Sequence, residues 1–106
     1  MSEIRKHIQG NWQIHYSYGG ITGHIRHNYT NSFVEFRPDD IIYWKDNKIE
    51  IVNTKINWIR MNDLFGELTY IMVFDSFSWS VDGIRNDTLI LYDNTSEPMT
   101  HYLTRK

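Results

Sequence analysis

Cysteine is absent from the 106-residue chain, and proline occurs only twice, at Pro38 and Pro98. Without thiols there is no disulfide framework, no thiolate zinc site and no cysteine nucleophile, so stability must come from packing. An excess of one charge is missing too: 11 basic against 13 acidic residues give a formal net charge of −2, with no block of like charges. That balance lacks the basic footprint of a nucleic-acid binder and predicts no nucleic-acid partner. No apolar run approaches the roughly 18 residues that a membrane helix needs. The segment from Met1 to His7 also lacks the apolar stretch of a signal peptide. As it stands the sequence reads as that of a soluble cytoplasmic protein without a membrane span, or of a secreted or periplasmic one if a leader has been removed.

Aromatic residues are plentiful, 15% of the chain, and include Trp12, Trp44, Trp58 and Trp79. They are large enough to fill a core or line a cavity. The length fits one domain, residues 1–106, around one core. Ser2 to Gln9 reads as a single helical turn that places Ile4 and Ile8 on one face and ends at Gly10. Beyond it the period is two. Trp12, Ile14, Tyr16 and Tyr18 are expected on one face of the first strand, with Gln13, His15 and Ser17 on the other. Further strands are expected over Tyr29 to Arg37, Ile41 to Lys45, Lys48 to Arg60, Leu68 to Phe74, Phe77 to Val81, Thr88 to Tyr92 and Thr100 to Arg105. The segment from Lys48 to Arg60 is either one bent strand or two split at Asn53-Thr54. Short turns, such as Pro38-Asp39-Asp40 and Asp46-Asn47, join them. The pattern describes an antiparallel meander, barrel or sandwich, and a barrel whose first and last strands pair leaves the fewest exposed edges.

Gly10-Asn11-Trp12, following one helical turn, resembles the Gly-x-Trp opening of lipocalins and related calycin barrels. The run from Phe77 to Asn94, with His101 to Lys106 after it, looks like the last three strands of small bacterial lipocalin-like domains. The resemblance covers nearly the whole chain. It implies an all-β, eight-stranded antiparallel up-and-down lipocalin-like barrel with a short N-terminal helical turn. It also implies that Trp12 plugs one barrel end and that Arg105 lies across it. The chain departs from larger lipocalins in its shortness and in lacking their C-terminal helix, disulfides and further motifs. The barrel interior is therefore expected to be small or filled.

Five histidines, His7, His15, His24, His27 and His101, raise the question of metal or haem. His24 and His27 have no Cys, Asp or Glu at ligand spacing, so no metal or cofactor is expected and the histidines read as surface groups. The acidic residues Asp39, Asp40, Asp46, Asp63, Asp82 and Asp87 fall at turns, where carboxylates bond the local backbone, and no catalytic pair stands out. Tyr16, Tyr18, Phe36, Tyr43, Trp58, Tyr70, Met72 and Trp79 are the candidate ligand-binding residues, with Trp44 in the same aromatic set. The glycine-rich segment 19–23 is a candidate lip over the barrel mouth. The expected function is non-enzymatic binding of a small apolar or amphipathic molecule in the barrel. The rivals are a protein-interaction module of inhibitor or immunity type, using loops on a filled barrel, and a calycin-type enzyme with polar groups converging inside.

Overall fold

A computed structural model describes residues 2–19, 25–62, 68–85, 87–95 and 98–106. Helix α1 (Ser2–Ile8) leads into ten strands: β1 (Gly10–Gly19), β2 (Ile25–Asn28), β3 (Ser32–Arg37), β4 (Ile41–Asp46), β5 (Ile49–Lys55), β6 (Asn57–Asn62), β7 (Leu68–Phe74), β8 (Phe77–Arg85), β9 (Thr88–Asp93) and β10 (Met99–Arg105). All pairings are antiparallel, in the order β5-β4-β3-β1-β10-β9-β8-β7-β6, with β2 beside β1. This is an up-and-down barrel in which the first and last strands pair from Trp12↔Arg105 to Gly19↔Met99.

Ten strands replace the expected eight for two local reasons. The expected strand from Tyr29 to Arg37 shortens to β3, and an additional strand, β2, precedes it; the two pair with opposite halves of β1 and are separated by a segment that includes Asn31, whose φ is 58°. The long strand from Ile49 to Asn62 breaks at Ile56, whose backbone N–H is taken by the Asp40 carbonyl at 2.6 Å. Its first half pairs with β4 and its second half with β7, so one continuous piece of chain serves both margins of the sheet.

The interior is lined by buried apolar side chains. Trp12, Ile14, Val34, Ile42, Met72, Leu89, Leu91 and Leu103 are essentially inaccessible, with Phe74 and Trp79 among them. Such alternation is what period-two sequences produce when one face is buried. In β1, however, the pairing slips between Ile14 and Tyr16, leaving His15 as the extra residue of a bulge. The slip inverts the phase of the rest of the strand. Ser17 turns inward and is buried, while Tyr18 is exposed and Tyr16 stacks on Tyr102, the outward neighbour of buried His101 and Leu103. This corrects the expected grouping of Tyr16 and Tyr18 with Trp12 and Ile14. His15 bonds Thr104 Oγ1 at 2.5 Å, and its carbonyl accepts the Tyr29 N–H at 3.0 Å, so the bulge faces the gap between β2 and β3.

Of the expected lip, residues 20–23 lie outside the described residues, as do His24, Asp63 and Gly66. Among the described residues no helix is long and apolar enough to cross a membrane.

Candidate functional site

The barrel has two ends of different construction. At the end where α1 enters, Gly10 adopts φ 120°, and a Cβ there would lie 3.2 Å from the Arg105 guanidinium, so glycine suits both the backbone and the neighbour. The Trp12 indole N–H donates to the Ile8 carbonyl at 2.7 Å. Arg105 lies with its guanidinium carbon 4.1 Å from the Trp12 ring centroid and donates to the carbonyls of His7 (2.8 Å) and Gln9 (3.1 Å). These are carbonyls at the end of α1, where a cation is favourable. Arg5 pairs with Asp40, which also accepts from the Trp58 indole at 3.2 Å. This end is closed.

At the opposite end β1, β10 and β9 bring three polar side chains into line. Ser17 Oγ lies 2.6 Å from His101 Nδ1, and His101 Nε2 lies 2.6 Å from Asp93 Oδ1. The Tyr29 hydroxyl stands 3.2 Å from Ser17 Oγ, and Asp93 Oδ2 accepts the Met99 N–H at 3.3 Å. His101 is only 6% exposed, which corrects its reading as a surface group. Burial pushes the Tyr29 phenol above its ordinary pKa; the Ser17 bond pulls it back, and the carboxylates of Asp46 and Asp93 raise it again.

Beside this chain of polar groups is a recess of about 210 Å³, walled by Tyr29, Trp44, Phe77, Trp79, Asp93 and His101, with Ser76, Ser78 and Thr95 completing it. Trp44 is its hub. The Trp44 ring centroid lies 6.3 Å from Tyr29, 5.7 Å from Phe77 and 5.6 Å from Trp79, at interplanar angles of 63°, 61° and 53°. Tilted rings of this kind make a corner rather than a flat stack. The Trp44 indole is fixed from behind by donating to buried Ser32 Oγ at 3.0 Å. Trp79 is held between Phe74, at 5.0 Å, and His101, at 5.2 Å.

Two other depressions are larger. One, of about 400 Å³, is walled by Arg5, Lys6, Gln9, Asp39, Asp40 and Lys55 at the closed end; the other, of about 470 Å³, by Gly83, Arg85, Thr88 and Ile90. Neither gathers aromatic faces, and a binding site is better marked by a few polar groups converging on an apolar wall than by volume.

The candidate ligand-binding residues are scattered. Trp79 lines the recess. Phe36 and Met72 are interior core. Trp58 is packed against that core at the closed end, and half-buried Tyr70 has the Arg60 guanidinium 5.7 Å from its ring. Tyr16 lies under Arg26 at 4.1 Å and Tyr43 under Arg37 at 4.7 Å, while Tyr18 is 42% exposed. Sequence reasoning missed Ser17, Tyr29, Phe77, Asp93 and His101. One signal was present: His101 is two residues from Leu103 on a strand and shares its inward face.

Ser17, His101 and Asp93 have the composition of a nucleophile, a base and an orienting acid. Ser17 is 1% exposed and is not among the described residues that line the recess. Among the described residues no three His, Cys, Asp or Glu side chains gather as a metal site. No protein-family model matches the chain, and comparison with curated proteins and with solved structures found no match either.

Proposed function

We propose that this protein is a non-enzymatic binding protein that holds a small amphipathic molecule in the recess at the open end of its barrel. The observation that carries the reading is the recess itself, which brings four aromatic rings together with Asp93 and His101. Its volume is below the roughly 300–1,000 Å³ of drug-sized sites, so the occupant is a small molecule or the end group of a larger one. The buried hydroxyl of Ser17 supports binding over acyl transfer. The Gly10-Asn11-Trp12 opening and the placement of Arg105 over Trp12 support kinship with lipocalin-like barrels as part of the same proposal.

Native mass spectrometry of the protein purified from its own host tests the reading. The expected result is a retained small molecule that is lost from the Trp44→Ala variant. A stoichiometric protein partner with no small molecule would overturn it in favour of an interaction module.

A further inference from the structure

Aromatic faces in this molecule are commonly covered by cations. Among the described residues Arg105 lies over Trp12, Arg26 over Tyr16, Arg37 over Tyr43, Arg60 over Tyr70 and Lys106 over Phe33, at 4.0 to 5.7 Å. All five lie outside the recess. Among the described residues of the recess wall there is no lysine or arginine, and Asp93 is its one carboxylate. Among the described residues, the ring faces that enclose the recess therefore lack the arginine or lysine that those five rings have.

We infer that the recess recognises a small organic cation, a methylated or quaternary ammonium group, seated against Trp44, Phe77 and Tyr29 and facing the Asp93 carboxylate. The inference rests on the binding function proposed above and names its ligand class. Ring quadrupoles attract an ammonium of low hydration, and the attraction strengthens where water is excluded. Three of the four rings are held by the protein before any ligand arrives: Trp44 by Ser32, Trp79 by Phe74 and His101, and Tyr29 by its contact with Ser17. Asp93 is fixed by His101 and by the Met99 N–H, its side chain keeps 25% exposure, and it lines the recess. Asp46, which acts electrostatically on Tyr29 together with Asp93, adds negative potential at the same end. Preorganised rings and a fixed counter-charge reduce the ordering cost of binding.

Three probes of nearly equal shape and different charge test this on the intact protein: choline, its neutral carbon isostere 3,3-dimethylbutan-1-ol, and the anion 3,3-dimethylbutanoate. Binding is followed by tryptophan fluorescence and by the indole N–H signals in heteronuclear NMR. Choline is expected to bind about tenfold or more tighter than the alcohol, with the anion weakest. Asp93→Asn keeps an oxygen to accept from His101, and it is expected to weaken choline far more than the alcohol and bring the two to the same level. Phe77→Leu, at a half-buried ring of the mouth, is expected to weaken choline more than the alcohol and guards against a folding defect in the first variant. Equal binding of choline and the alcohol would overturn the cation assignment and leave a generic apolar site. Preferential binding of the anion would overturn it in favour of recognition by His101. If none of the three perturbs the indole signals, the binding function itself falls.

Discussion

At the closed end Trp12 is enclosed on every side: its indole N–H is bonded to Ile8, its face is covered by Arg105, and the rest of it is surrounded by core. At the opposite end Trp79 is as deeply buried, yet with Trp44, Phe77 and Tyr29 it lines a recess. Both ends use aromatic rings with a charged group nearby. In one the charge is a cation belonging to the chain, and the ring becomes part of the scaffold. In the other the charge is a carboxylate, and in the binding function proposed above the rings take their cation from outside. On that proposal an aromatic cluster is structural or receptive according to whether the chain supplies its own cation.

The largest effect that would sharpen this contrast is expected from Trp12→Ala. Truncating a fully buried tryptophan costs about 3–5 kcal/mol, measured as the shift in the denaturant unfolding curve, and a loss below about 1 kcal/mol would show that the plug is not what anchors that end. Ser17→Ala comes next. It removes the partner of His101 Nδ1 and of the Tyr29 hydroxyl, and buried polar groups left without partners cost about 1–3 kcal/mol. Its thermal unfolding midpoint should fall accordingly, and an unchanged midpoint would show that the open-end network contributes nothing to stability.

The smallest effect lies in the titration of Tyr29. Its phenol has a raised pKa in the folded protein, so above the ordinary tyrosine value of about 10 the unfolded chain loses that proton first. The associated stability is complete below that pH and declines as pH rises through the folded value. Ultraviolet titration of tyrosinate should show a late component that disappears in Tyr29→Phe. If the late component persists, another tyrosine is responsible.

The barrel was legible because its strands carry unbroken alternation: Val34 with Phe36, Leu89 with Leu91, and Met72 with Phe74 all share faces as their spacing requires. The helical turn and the closing pair of β1 with β10 were legible for similar reasons, from a glycine stop and from the need to remove sheet edges. The recess was not. Its polar chain joins Ser17 of β1 to Asp93 and His101 of β9 and β10, far away in sequence, and Ser17 faces inward only because of the bulge at His15, which no local pattern announces. Trp44 and Trp79 stood in the expected aromatic set, but nothing in their spacing distinguishes a core ring from one at the edge of a cavity. The tyrosines chosen for a pocket sit instead with arginines, because outward positions beside basic residues offer the same amphipathic composition.

The pairing of β1 with β10 also governs how the molecule comes into being. Trp12 and Arg105 stand opposite each other across the barrel seam but near the two ends of the chain. During synthesis β1 therefore waits, paired on one side at most, until β10 has emerged. Contacts of such long range place folding in the slow range for small domains, about milliseconds to seconds. The first strand of the barrel is completed by its tenth.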